Sequence, residues 1–270
     1  MAGPPQPSRA RSPEAKRARE TAILDAAARL ATAHGIRSVT LTDIAAEVGM
    51  HKSAMLRYFD TREEIFLRLA ATGWVEWSQA VRGQLADVPP GEDDEVDADS
   101  LTEGSADSAA KGPAEGFTPA VHAAGSATAV HGAGLESRAH AVAGLLAESL
   151  VARPLFCDLL AHTPMNLERN VSLESVRTFK VTALAEVAAV SEALCRVVAL
   201  SPAQAGDVVA TATSMAGALW QMAAPGTELR RLYESDPDLA HAVVDVAPRL
   251  TGILSALLRG YSAGDGDGDE

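Results

Sequence analysis

Two cysteines in 270 residues, Cys157 and Cys195, exclude a scaffold stapled by disulfides. Aromatic residues make up 4% of the chain although hydrophobic residues make up 47%, so any core must be built from Ala, Val and Leu. Strands draw on β-branched and aromatic residues, whereas Ala and Leu are strong helix formers; the shortage of aromatics therefore points to an all-α protein. No apolar run reaches the roughly 18 residues that a membrane span needs. The N-terminal stretch is basic but lacks the apolar segment of a secretory signal, so a cytoplasmic, nucleoid-associated protein without membrane contact is expected. Also missing are a phosphate-binding glycine loop, a nucleophile elbow and carboxylates paired for acid–base work, and no enzyme activity is expected. Metal ligands are scattered. His122, His131 and His140 lie nine apart, and the five-residue step from Cys157 to His162 does not put both on one helical face. Asp265, Asp267 and Asp269 start like a calcium loop but lack its sixth-position glycine and closing glutamate. No metal or other cofactor is expected.

What the chain does have is acid, unevenly placed. The net charge is −13, which by itself disfavours nucleic acid. Residues 1–62, however, carry ten Lys and Arg against six acids, and the rest carries 13 against 30. A small basic reader joined to an acidic body shows this split.

Helix signals recur along the chain. Ser12-Pro13-Glu14 reads as N-cap, first position and acidic first turn of a helix over about 13–34, closed by Gly35. Thr40 with Asp43 opens a short helix over about 41–48. After the turn Gly49-Met50-His51 a second short helix spans about 52–58, and Thr61–Glu64 opens a long one to about 86. Two short helices joined by a three-residue, glycine-containing turn form a helix-turn-helix by spacing alone. Between Arg82 and Lys111 no basic residue occurs, and residues 88–134 have no periodicity, so a disordered insertion is expected there. Helical spacing resumes at about 135 and predicts a helix from there that breaks near Pro154, then helices over about 154–163, 172–199, 202–223 and from Asp236-Pro237 to Tyr261, the last kinked at Pro248. About nine helices result, with no convincing strand. The expected order is a disordered basic arm (1–12), a helix-turn-helix domain (13–62), a helical regulatory and dimerisation domain (63–261) and a disordered acidic tail (262–270).

Residues 20–69 resemble the DNA-binding domain of the TetR family of bacterial regulators. The resemblance rests on the helix ending at Gly35, the T-x-x-x-I-A from Thr40 to Ala45, Gly49 in the turn, Lys52, and Tyr58-Phe59 followed by Arg62-Glu63. Two positions depart from the family: Ala54 stands where a Thr or Ser is common, and Leu56 where an aromatic is common. In such a motif the second helix enters the major groove and offers its first residues to base edges. His51, Lys52, Ser53, Ala54 and Arg57 are nominated accordingly, with Thr42 on the preceding helix, and Tyr58 and Arg62 as phosphate contacts. Lys52 or Arg57 could pair with guanine O6 and N7. The basic arm, with Arg9, Arg11, Lys16, Arg17 and Arg19, could reach the backbone or the minor groove.

The resemblance also implies a homodimer through 202–223 and 237–260, binding double-stranded operator DNA. It further implies a pocket among the middle helices for a small-molecule effector of unknown identity. Residue type selects Trp74, Trp77, Phe156, Cys157, His162, Met165, Asn166, Phe179, Met215 and Trp220 as pocket candidates, with Cys157, His162 and Asn166 the convergent polar set. The expected function is a sequence-specific regulator, a repressor that an effector releases from its operator. The alternative is a ligand-independent or partner-gated DNA-binding regulator, either an activator or one that responds to thiol oxidation.

Overall fold

The structure, a computed structural model, describes residues 13–88 and 124–264. The basic arm at 1–12 (with Ser12, the expected cap), residues 89–123 of the expected insertion, and the tail from 265 lie outside the described residues. Ten α-helices occur among the described residues: α1 (Pro13–His34), α2 (Leu41–Glu47), α3 (Lys52–Met55), α4 (Arg62–Ala86), α5 (Ala124–Val151), α6 (Pro154–His162), α7 (Leu173–Val197), α8 (Pro202–Ala223), α9 (Glu228–Ser235) and α10 (Val246–Gly264). The described residues contain no strand.

Caps set most of the starts. Thr40 Oγ1 accepts the Asp43 N–H while the Asp43 carboxylate accepts the Thr40 N–H at 2.8 Å. Ser201 and Gln204 make the same reciprocal pair at the head of α8. At α4, Thr61 accepts the Glu64 N–H, but the Glu64 carboxylate reaches one residue further back, to the Asp60 N–H at 2.9 Å. Each such cap satisfies donors that a helix start leaves open, worth about 1 kcal/mol.

Four elements differ from the sequence expectation. α3 stops at Met55, and the chain continues as hydrogen-bonded turns, with the Tyr58 and Phe59 N–H groups both donating to the Met55 carbonyl. α5 starts at Ala124, inside the stretch read as insertion; with glycine at 125, 132 and 134, helix propensity does not account for that early start. α9 was not foreseen, although Thr227 followed by Glu228 is a cap-and-acid signal and Thr227 does cap the helix. The last helix begins ten residues late: Pro237–Ala242 form a tight 3-10 turn, and α10 starts only at Val246. Pro248 thus falls in the first turn, where the N–H that it lacks has no partner to lose, and the expected kink has no cause. α10 then runs to Gly264, three residues into the expected tail.

The body is a layered bundle with α8 at its centre, packed on α6, α7, α10 and α5, while α10 lies along α5 and α4 along α7. Two glycines allow close approach. A Cβ at Gly217 would lie 2.8 Å from the Ala161 backbone nitrogen, so α8 and α6 touch backbone to backbone. A Cβ at Gly73 would lie 2.5 Å from the Phe156 ring, which rests on α4. Polar ties reinforce the core: the buried Trp77 indole donates to Ser149 Oγ at 2.9 Å, and Arg138 donates to the Val197 carbonyl at 2.9 Å.

Candidate nucleic-acid interface

α2 and α3 are held by their apolar sides. Ile44 and Ala45 of α2, Met55 of α3 and Phe59 beyond it are buried with Ile23, Ala26 and Ala27 of α1 and with Ile65 of α4. Gly49 closes α2 at φ +65°, a conformation that glycine adopts without steric cost, and the Met50 N–H returns to the Ala45 carbonyl at 2.8 Å. The turn points α3 away from α2, and what remains outward is the nominated set. Thr42, His51, Lys52, Ser53 and Arg57 are exposed, while Ala54 and Tyr58 are half-buried. Among the described residues neither Lys52 nor Arg57 carries an ion pair. Their charges face solvent uncompensated, as a phosphate- or base-reading surface requires. Leu56, noted above only as a departure, is 46% exposed on the same short segment.

Arg62 is placed differently. Its guanidinium donates to the Ile36 carbonyl at 2.7 Å and to the Glu63 carboxylate at 3.0 Å, and lies 5.1 Å over the Phe66 ring. Arg62 therefore secures the junction between α1 and α2 to the start of α4 instead of standing in the outward set.

Sequence reasoning missed Asp158, a polar link between this reader and the body. Its carboxylate accepts the Ile36 N–H at 3.0 Å and the Gln221 side-chain N–H at 2.8 Å, and lies 3.2 Å from His162 Nδ1. Ile36 is consequently held at both edges of its residue, by Asp158 at the N–H and by Arg62 at the C=O. Burial pushes the Asp158 carboxyl up, but hydrogen bonds from His162, Ile36 and Gln221 outweigh it and hold the group below the usual carboxylate value. The Asp158 hydrogen bond raises His162 against the opposing effect of burial and the nearby Arg37 charge. No motif announces such a residue. It is an unremarkable acid on a short helix until the fold brings Ile36 and Gln221 to it.

The expected pocket residues do not converge. Trp74, Trp77 and Phe156 pack on one another with ring centroids 5.6–6.2 Å apart and are nearly or fully buried. Cys157 is buried, donates to the Leu150 carbonyl at 3.2 Å, and burial pushes its thiol up to about 12. His162 is turned to Asp158, whereas Met165 and Asn166 are exposed beyond it on a single π-helical turn, Thr163–Leu167. Phe179 is buried against a small cleft of about 170 Å³ between α4 and α7. Met215 and Trp220 are half-buried on α8, and Trp220 lines a groove of about 770 Å³ at the end of that helix. The convergent polar set of Cys157, His162 and Asn166 is thus dispersed by the fold, each with a different environment. Among the described residues no three His, Cys, Asp or Glu side chains gather as a metal site would require. No described helix is long and apolar enough to cross a membrane.

A basic helix-turn-helix, anchored by a buried face and hydrogen-bonded to a larger helical bundle, defines a DNA-binding regulator with separate reading and regulatory parts. Comparison with known families agrees: residues 23–69 match the model of bacterial regulatory proteins of the tetR family, and residues 118–265 match the tetracyclin repressor-like C-terminal domain. The chain belongs to the TetR family of DNA-binding transcriptional regulators. Similar solved structures include the fatty acid degradation regulator FadR from Bacillus halodurans, at 12% identity over 87% of this chain and 97% of that one, with a TM-score of 0.44. Another is a transcriptional regulator of the TetR/AcrR family from Thermobifida fusca YX-ER1, at 17% identity over 90% of this chain and 98% of that one, TM-score 0.45. A search of curated proteins finds no match.

Proposed function

We propose that this chain is a homodimeric repressor that reads a two-fold operator and is released from it by a small molecule. The observation that carries the reading is the outward, unpaired Lys52 and Arg57 at a segment fixed from behind by Met55 and Phe59. His51, Ser53, Ala54 and Thr42 share that face, Tyr58 supports phosphate contact, and exposed Leu56 adds an apolar surface of the kind that meets a thymine methyl. Arg62 is withdrawn from the contact set because its two terminal nitrogens already donate to the Glu63 carboxylate and the Ile36 carbonyl.

Dimerisation draws support from two adjacent helices. Ala203, Ala210, Ser214 and Ala218 are exposed along one side of α8, and Gly252, Ala256 and Gly260 along one side of α10. Ala212, Ala216 and Gly217, by contrast, are buried within the subunit and are core. A two-fold axis at the outward small residues would place two readers side by side, as half-sites about 34–36 Å apart demand.

The test is selection of bound sequences from random DNA, then titration of the winner at several salt concentrations. A palindromic site is expected, with affinity falling as salt rises, and Lys52→Ala should weaken it by about 1–3 kcal/mol. Binding without sequence enrichment, or a Lys52→Ala protein that binds as wild type does, would overturn the reading. A ligand-independent regulator is the second reading, favoured by the close-packed Trp74, Trp77 and Phe156 where a central pocket was expected. Its redox variant loses support at Cys157, whose buried thiol resists ionisation.

A further inference from the structure

With the middle of the body filled by aromatic rings, an effector needs another seat. The groove of about 770 Å³ lies where the end of α8 meets α9, the end of α5 and the start of α10. It is an open surface groove rather than an enclosed cavity, so a ligand there would be held along one side only. Two unlike sets of residues line it. Val151, Trp220, Val246 and Pro248 give an apolar side, and Trp220, half-buried, offers part of an indole for stacking. α9 contributes Arg230, Arg231 and Glu234 to the same lining.

The charges on that side are not equivalent. Arg230 is engaged by Glu234 at 2.6 Å, by the Val244 carbonyl at 2.8 Å and by Asp245 at 3.5 Å. Both carboxylates of the rim are thereby bound to a cation. Arg231 is exposed and carries no ion pair among the described residues, which leaves one available positive charge facing an apolar surface. A planar guanidinium in that position matches a carboxylate. α9 itself has no buried residue, so a molecule held between it and α8 would add the packing that this helix lacks.

The groove is also wired to the reader. Trp220 precedes Gln221, whose amide donates to Asp158, and Asp158 holds the Ile36 N–H of the reader. α8 and α6 meet without intervening side chains at Gly217 and Ala161, so a shift at the end of α8 cannot be absorbed between them.

We propose that this groove is the effector site, that it takes an apolar monocarboxylate stacked on Trp220 with its acid on Arg231, and that occupancy reaches the reader through Gln221 and Asp158. The relay rests on the DNA-binding reading above; the site itself does not. Calorimetric titration of the full chain with 2-naphthoate, 2-naphthol and 2-naphthylmethylamine tests the site. The acid is expected to bind most tightly, and Arg231→Gln to weaken the acid by about tenfold while leaving the alcohol unchanged. Trp220→Leu should weaken both. No binding of the acid, preference for the amine, or equal binding of the acid to Arg231→Gln would overturn the site.

The relay is read on the selected DNA. 2-Naphthoate should lower the affinity of the wild type, and Gln221→Ala should keep calorimetric binding of the acid while losing that effect. An unchanged effect in Gln221→Ala, or none in the wild type, overturns the relay. If the protein selects no DNA, the repressor reading fails and takes the relay with it, while calorimetry still decides the site.

Discussion

Replacing Asp158 by Asn keeps the shape of the side chain and removes its charge and one acceptor. The new NH₂ must face either the Ile36 N–H or the Gln221 amide, both donors that now contact an oxygen. A hydrogen bond to a charged group contributes about 1.5–3 kcal/mol, and two are affected. Against that stands the cost of holding a carboxylate whose side chain is only 15% exposed, which Asn relieves. The balance is a loss of about 2–3 kcal/mol, or roughly 4–12 °C in Tm for a chain of this size. Scanning calorimetry at neutral pH measures it, with Glu192→Gln as control, because that carboxylate is 78% exposed and pairs only with Arg196. Since the lost contacts join the reader to the body, the Asp158→Asn transition should also broaden or split as the two parts unfold less cooperatively. A single sharp transition, shifted no further than in the control, would refute the claim that Asp158 couples them.

Three further outcomes are expected. Gly217→Ala should destabilise by about 1–3 kcal/mol, since its Cβ would meet the Ala161 backbone, whereas Gly206→Ala on the same helix meets nothing within 4 Å and should stabilise by about 0.5–1 kcal/mol; denaturant titration reads both signs. The raised His162 contributes stability that is complete below the ordinary histidine value of 6.5 and lost as pH rises through its higher folded value, while the lowered Asp158 contributes above 3.8 and is lost as pH falls through its lower one. The pair is therefore most effective between those two values, and Tm measured against pH should decline above that window more in wild type than in His162→Gln. Maleimide labelling of the native protein, read by peptide mass, should modify half-buried Cys195 and spare Cys157 until the chain unfolds.

The reader was legible because its determinants are local. Thr40 finds Asp43 three residues away, Gly49 solves its own turn, and Met55 and Phe59 repeat at helical spacing. Arg62 shows the opposite case: a basic residue beside a helix-turn-helix suggests phosphate, and only the fold brings the Ile36 carbonyl, 26 residues away, to its guanidinium. Asp158 and Ile36 are 122 residues apart, a pairing that no periodicity encodes. Pro248 shows a milder failure. Its effect depends on where the helix starts, and the turn at Pro237–Ala242 moved that start so that a kink-former became an ordinary first-turn residue. The pocket candidates were chosen by side-chain type, which cannot separate an aromatic that fills a core from one that lines a cavity; Trp77 and Trp220 differ only in what lies beyond them.

Ile36, gripped at its N–H from α6 and at its C=O from α4, is a hinge pin fixed from two sides. A segment tethered at one end can swing and dissipate a push, but one pinned at both cannot tilt unless a tether breaks. On the proposed relay, a displacement of α6 would be passed through this junction to α1, α2 and α3 together. Together with the packing of α1 on α4 and α6, this junction ties the reader's orientation to the two helices that hold it.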